Sequence, residues 1–125
     1  MEADAKSGAV AVAFLAEHSR AHANDDSALL YARLHGEVIE RYGTSQCQLY
    51  LEKVVGSISD LEALSTTFPV VFHYSTDDLE TAIPDAVRLN IRYQVQDQTS
   101  EGEMHLVEEN GEMRWFTDCG EPLSD

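Results

Sequence analysis

The sequence predicts an α+β fold in which three N-terminal helices pack on an antiparallel sheet of about four strands. Three observations support this prediction. Apolar residues recur at helical spacing in the first half of the chain, and they alternate with polar residues in the second half. The last two predicted strands are joined by Asn110-Gly111, a dipeptide typical of a tight β-hairpin.

The size of the chain and its charge limit what it can do. Its 125 residues suit one domain, predicted over residues 8–122. It carries 23 acidic and 8 basic residues, a formal net charge of −15. Such a charge repels phosphate backbones and anionic lipid surfaces, so we expect no nucleic-acid partner. Because no apolar run approaches the ~20 residues that cross a bilayer, we expect no direct membrane insertion either.

The first helix is predicted over residues 8–23. Val10, Phe14, His18 and Ala21 have the spacing of one helix face. The polar residues that follow end this helix, and Asp25 or Asp26 is expected to cap the next one.

A second helix is predicted over residues 27–42, and Gly43 is expected to end it. Its apolar stripe comprises Ser27, Leu30, Tyr31, Leu34, His35, Val38 and Tyr42. Thr44 is then expected to cap a third helix, and Gly56 weakens the end of that helix. The buried face of the third helix is predicted to contain Cys47, Leu51, Val54, Val55 and Ile58.

Residues 57–67 fit either a helical turn or a short edge strand. Strands are predicted over residues 68–74, 86–96, 103–109 and 112–118, with a polar turn over 75–80. Pro69 marks an edge strand or the start of a strand. In the second strand Val87, Leu89, Ile91, Tyr93 and Val95 are predicted to face the core, and Arg88, Asn90, Arg92 and Gln94 to face outward.

This order of elements resembles the cystatin-like cone of the nuclear-transport-factor-two-like superfamily, which includes ketosteroid isomerase and scytalone dehydratase. The last hairpin, Leu106-Val107-Glu108-Glu109-Asn110-Gly111-Glu112-Met113-Arg114-Trp115-Phe116, is similar to the closing hairpin of many small members. The tail Asp118-Cys119-Gly120-Glu121-Pro122, together with Cys47, resembles small extracytoplasmic or lipoprotein-type members. The fold of this superfamily does not by itself identify a function.

The resemblance implies that Cys47, on the third helix, meets Cys119 beyond the last strand. The alternative is two unbridged, buried thiols. A disulfide implies an oxidising compartment, so an extracytoplasmic or secreted location is expected, with a cytoplasmic location as the alternative. Met1 fits both a native start and the start of a chain whose leader was removed.

The resemblance also implies a pocket between the helices and the sheet. The candidate pocket residues are Tyr31, His35, Tyr50, His73 and Tyr93. His35 is either a general base or a histidine at the core edge that is hydrogen-bonded to backbone. The Tyr93 hydroxyl either donates to a ligand or belongs to a core tyrosine.

Other histidines are expected to lie outside the pocket. His105 alternates with Met104 and Leu106 and is expected to face solvent. His18 and His22 are four residues apart, but the HExxH pattern is absent, so they are interpreted as part of a solvated helix end. No metal site is predicted. Nucleotide-binding and nucleophile-elbow motifs are also absent, so no cofactor is predicted.

Two functions follow as hypotheses. The first is a non-catalytic domain that binds a small apolar ligand or another protein, with a homodimer formed through the outer sheet face. The second is a small-molecule lyase or isomerase that uses His35 with Tyr31, Tyr50 or Tyr93. An isomerase of the resembled kind needs an acidic base in the pocket, and no acidic residue interrupts the apolar face of residues 87–95.

Overall fold

The fold is α+β, with helices followed by a four-stranded antiparallel sheet, as the sequence predicts. It is seen in a computed structural model that describes residues 2–76, 79–117 and 119. The helices are α1 (Glu2–Ala23), α2 (Ser27–Ala32), α3 (Gly36–Tyr42) and α4 (Thr44–Val54). The strands are β1 (Ser59–Thr76), β2 (Leu79–Val95), β3 (Gln98–Glu109) and β4 (Glu112–Trp115).

Helix α1 packs against β1 through a face that differs slightly from the predicted one. Phe14, His18 and Ala21 are buried as a stripe, and Ala11 is completely buried at its N-terminal end. Val10, predicted on this stripe, is instead 42% exposed. The buried face passes through residue 11 because 11, 14, 18 and 21 also follow helical spacing.

The predicted second helix is interrupted, so the described residues form four helices instead of three. The backbone leaves the helical path at Leu34, which forms a parallel bridge with Trp115. Trp115 N donates to Arg33 O at 3.0 Å, and His35 N donates to Trp115 O at 2.9 Å. Strand hydrogen bonds from a distant part of the chain thus replace helical ones.

The ends of the helices are close to the predictions. The Asp26 carboxylate caps α2 by accepting from Leu29 N at 3.2 Å. Gly43, with a φ of 90°, ends α3 and also precedes α4 as its N-cap. Thr44, predicted as that cap, is instead the first helical residue. Glycine suits this junction because a positive φ is costly for residues with a Cβ.

The four strands lie in chain order, with β1 at one edge and β4 at the other. Residues 59–67, whose sequence fits either a helical turn or a short edge strand, belong to β1. Register shifts interrupt the β1–β2 pairing, including one between Thr67 and Val70. The cis peptide before Pro69 lies in this irregular stretch of the edge strand, where proline removes no interior ladder bond. Asp77 and Asp78, part of the predicted turn, lie outside the described residues.

The core lies between the helices and one face of the sheet. Val87, Leu89 and Ile91 of β2 are buried, as their alternation predicts. Leu106 of β3 pairs with Val87 and with Trp115, so it continues the same apolar layer. The predicted Asn110-Gly111 hairpin joins β3 to β4, and both residues have positive φ.

Candidate ligand-binding cavity

A cavity of about 580 Å³ lies between α1, the end of α4 and the sheet. The volume is in the usual range for small-molecule sites, about 300–1,000 Å³. Its lining comes from four strands, two helices, the loop between α4 and β1, and the residues after β4. The lining residues are His18, His22, Tyr50, Val54, Ser57, Ile58, Leu61, Phe72, Ile91, Tyr93, Gly102, Glu103, Met104, His105, Trp115, Phe116 and Thr117.

His18 comes from the middle of α1 and is only 3% exposed. Its ring makes an edge contact with Trp115, at 4.5 Å between ring centroids, and stacks on Phe14 at 5.8 Å. Burial, followed by the neighbouring His22 and Arg33, lowers the pKa of His18 to about 3. The ring is therefore neutral at physiological pH.

His22 lies one turn further along α1 and is 5% exposed. Its Nδ1 accepts a hydrogen bond from Gly56 N at 3.1 Å. Because a neutral imidazole has one donor and one acceptor nitrogen, this bond places the proton on Nε2. Burial also lowers the pKa of His22, which favours the neutral ring.

The prediction that His18 and His22 form a solvated helix end is therefore wrong. Both rings are buried and line the cavity. The sequence contained a signal for this, because both histidines continue the apolar face of α1.

Tyr93 and Tyr50 are the two predicted pocket residues that line the cavity. Tyr93 projects from the inner face of β2 across Gly102 of β3, where an added Cβ would lie 3.7 Å from the tyrosine hydroxyl. Tyr50 reaches the cavity from α4. Both side chains are half-buried and pack against the core. Whether their hydroxyls bind a ligand stays a prediction.

His105 also lines the cavity, although the alternation of β3 predicted that it faces solvent. Its ring stacks on Phe72 of β1 at 4.1 Å between centroids and is half-buried. Burial lowers the pKa of His105; Glu103 raises that pKa and Arg88 lowers it. Phe72 follows the register shifts of the β1–β2 hairpin, which single-strand alternation does not include.

His35 has a structural role at the start of α3. It is the N-cap of α3, where its Nδ1 accepts from Glu37 N at 3.1 Å. The ring stacks on Phe116 at 4.6 Å, and Nε2 lies 3.9 Å from Glu109 Oε2. This is the backbone-bonded alternative described above for His35. His35 is not among the described residues that line the cavity.

The structure does not bring the other two candidates to the cavity lining. His73 lies on β1 with its side chain 60% exposed, and its Nδ1 is 3.1 Å from Glu80 Oε2. Tyr31 lies in α2, where it is half-buried and packs against the core. The lining therefore combines two predicted tyrosines with three histidines that were not predicted to line it.

A disulfide joins Cys47 to Cys119, with the two Cα atoms 5.0 Å apart. Both cysteines are almost completely buried. The bridge ties α4, which supplies Tyr50 and Val54 to the cavity, to the segment after β4, which supplies Phe116 and Thr117. It therefore holds two walls of the cavity together. Residues 120–122 of the predicted tail lie outside the described part of the chain.

The lining is mostly apolar, with neutral hydrogen-bonding groups. His18 and His22 are neutral at physiological pH for the reasons above. Glu103 is the carboxylate in the lining, and its side chain is exposed. The arrangement suits an uncharged apolar molecule better than an ion, because a buried charge needs a partner of opposite sign.

Metal binding finds no support in the described residues, which contain no group of three or more metal-binding side chains. The chemistry of His22 gives a separate argument. Its Nε2 carries the proton, so in this tautomer the nitrogen has no lone pair for a metal ion. In the part of the chain that is described, no helix is long and apolar enough to cross a membrane.

Comparison with known proteins identifies no relative. The sequence matches no protein-family model, and no curated protein and no solved structure is significantly similar to the chain.

Proposed function

We propose that this chain is a non-catalytic domain that binds a small, uncharged, apolar ligand in the cavity between its sheet and helices. The observation that carries the proposal is the cavity itself, about 580 Å³ in volume and lined mostly by apolar and aromatic side chains. Such a wall favours ligands by removing apolar surface from water. The formal charge of −15 opposes the approach of anions.

We further propose that the domain belongs to the nuclear-transport-factor-two-like superfamily and works outside the cytoplasm. The order of helices and strands and the hollow between them support the first part. The buried Cys47–Cys119 disulfide supports the second, since such bonds persist in oxidising compartments.

The test is a titration with N-phenyl-1-naphthylamine, an uncharged dye that fluoresces when it enters an apolar site. Gly102→Leu should fill part of the cavity, because Gly102 lines it and a Cβ there meets only Tyr93 at ordinary contact distance. We expect saturable binding to the wild-type chain and binding at least about tenfold weaker in Gly102→Leu, since occupied volume excludes the dye.

The matched control is Thr99→Leu, which adds a leucine to an exposed position of the same strand. This variant should bind the dye as the wild type does. No saturable binding to the wild type, or equal binding to Gly102→Leu with its circular dichroism unchanged, would overturn the proposal.

The alternative function is a small-molecule lyase or isomerase. The observation in its favour is that the cavity combines histidines 18, 22 and 105 with Tyr50 and Tyr93, side chains capable of acid–base chemistry. Against it, a pKa of about 3 makes His18 a weak base at neutral pH. His35, the predicted base, caps α3 instead. Chemical conversion of a ligand bound in the cavity would favour this alternative.

The homodimer through the outer sheet face stays a prediction. On this face Asn90 donates to Ser65 at 2.7 Å, and Arg92 lies within 3.7 Å of carboxylates on both neighbouring strands. These side chains already have partners inside the chain. Sedimentation at high protein concentration tests the dimer, and a strict monomer would remove it.

A further inference from the structure

We propose that His22 is the polar anchor of the cavity, and that the preferred ligands are uncharged ring compounds that carry a hydrogen-bond acceptor. This inference rests on the proposed function, because it names the class of ligand for the same cavity. It starts from one hydrogen bond, in which Gly56 N donates to His22 Nδ1 at 3.1 Å.

Because of that bond, the polar group of His22 that remains to bind a ligand is the Nε2–H donor. With Nδ1 acting as acceptor, the neutral ring carries its proton on Nε2. Within the described residues, no acceptor is hydrogen-bonded to this Nε2–H. Since His22 is 5% exposed and lines the cavity, the donor has little access to bulk water. Nε2 is not among the fully buried, unpaired atoms of the described residues, so water in the cavity can reach it, and a ligand acceptor would take the place of that water.

The tyrosines of the cavity differ from His22 in this respect. Tyr50 and Tyr93 are half-buried, so their hydroxyls can also be hydrated. A ligand that bonds to them exchanges one hydrogen bond for another and gains little. The gain is larger at His22, because its side chain is more deeply buried than either tyrosine and its donor is less accessible to water.

The charge of the ligand follows from the surroundings of His22. The His18 ring lies 5.2 Å from the His22 ring and is neutral, and it forms no hydrogen bond with any described residue. An anion would enter a cavity whose described lining contains no lysine or arginine, in a chain of net charge −15. A cation would meet imidazoles that burial keeps uncharged, and the Glu103 carboxylate of the lining is exposed to solvent, which weakens its attraction for a bound charge. An uncharged acceptor, such as a ketone or an ester, avoids both costs.

Three probes of the same ring and similar size test the ligand class. They are 2-acetylnaphthalene, with an uncharged acceptor, 2-ethylnaphthalene, with none, and 2-naphthoate, with a negative charge. Each displaces N-phenyl-1-naphthylamine from the wild-type chain in a competition titration. We expect the acetyl compound to bind about five- to tenfold more tightly than the ethyl compound, the usual effect of one neutral hydrogen bond. Naphthoate should bind more weakly than both.

Two variants connect this preference to His22. In His22→Asn the side-chain oxygen can still accept from Gly56 N, but the donor at the Nε2 position is lost. In His22→Phe both are lost. We expect the acetyl and ethyl compounds to bind equally in both variants, with little change for the ethyl compound. His73→Phe is the matched control, because His73 is exposed and should leave the preference intact.

The outcomes separate the two proposals. If N-phenyl-1-naphthylamine does not bind to the wild type, the proposed function fails and this inference fails with it. If the dye and 2-ethylnaphthalene bind but the acetyl compound has no advantage, only the inference is overturned. An advantage that persists in a folded His22→Asn variant overturns it as well. The wild-type series needs no variant, so a folding defect cannot hide the answer.

Discussion

Polar side chains on the outer face of the sheet and in the cavity wall differ in how many hydrogen-bond or ion-pair partners they have within the described residues. On the outer face, Asn90 bonds to Ser65, Gln94 bonds to Thr99 at 2.8 Å, and Arg92 lies between two glutamates. In the cavity, His18 forms no hydrogen bond with any described residue, and His22 uses only one of its two nitrogens. The first surface is satisfied by its own neighbours, and the second has unused hydrogen-bonding capacity.

In a chain whose sequence motifs do not identify a function, polar side chains without a protein partner indicate where a ligand could bind. Buried polar groups are usually paired with protein or with water, so ring nitrogens that line a cavity and have no described protein partner are available to water or to a ligand. Exposed ion pairs such as those of Arg92 need none, because they contribute little to stability. The unpaired ring nitrogens of the cavity are therefore the better candidates for function.

The largest expected effect concerns the disulfide that holds two cavity walls together. Replacing both cysteines, as Cys47→Ala with Cys119→Ala, should lower the free energy of unfolding by about 4 kcal/mol, because the bridge closes a long loop. The two cysteines are separated by 72 residues. Urea unfolding measures the change. The same variant should bind N-phenyl-1-naphthylamine more weakly, since Phe116 and Thr117 lose their tether to α4.

Thiol titration of the unfolded, unreduced wild-type chain is the control for this prediction. It should find no free thiol. Two free thiols per chain, or a loss of stability below about 1 kcal/mol in the double variant, would contradict the structural role given to the bridge.

A smaller effect is expected from the buried His18. The pKa of this histidine falls from 6.5 in the unfolded chain to about 3 in the folded one. Between these values the unfolded state binds more protons, so the stability contribution decreases as the pH falls below 6.5. From pH 7.5 to pH 5.5 the expected loss is about 1 kcal/mol.

His18→Gln, which has no titratable group at this position, isolates that contribution. Urea unfolding of the wild type and the variant at both pH values should show a steeper pH dependence in the wild type. His73→Gln is the matched control, because the His73 side chain is exposed and its replacement should not change the pH dependence of stability. Equal pH dependence in the wild type and His18→Gln would show that His18 is not buried in a neutral form.

The smallest effect is expected on the outer face. Arg92→Ala removes two ion pairs whose side chains are largely exposed, so the free energy of unfolding should change by less than about 1 kcal/mol. Dye binding should not change. A loss above about 2 kcal/mol, or weaker dye binding, would mean that the two faces are not independent.

Much of the fold was predictable because it depends on local patterns. Helical spacing located α1 and α4, alternation located β2, and Asn110-Gly111 located the last hairpin. The break at Leu34 was not predictable in this way. It depends on hydrogen bonds with Trp115, which is close in space but distant in sequence. The cysteine pairing came from a resemblance, and the structure contains it.

The cavity was only partly predictable for the same reason. Tyr93 follows the apolar alternation of β2, so its inward position could be expected. His18 and His22 follow the apolar stripe of α1, but their burial requires the sheet to cover that stripe. Strand alternation predicts an outward His105, but its ring stacks on Phe72 of β1, a contact between strands that alternation within β3 does not include. A site made from several elements depends on packing that no single element specifies.

A long-range ¹H–¹⁵N NMR spectrum of the histidine side chains at pH 7, recorded before and after addition of 2-acetylnaphthalene, observes the His22 donor itself. We expect a neutral His22 ring with its proton on Nε2, and a shift of that resonance when the ligand binds. A charged ring, a proton on Nδ1, or an unchanged Nε2 resonance at saturating ligand would contradict it.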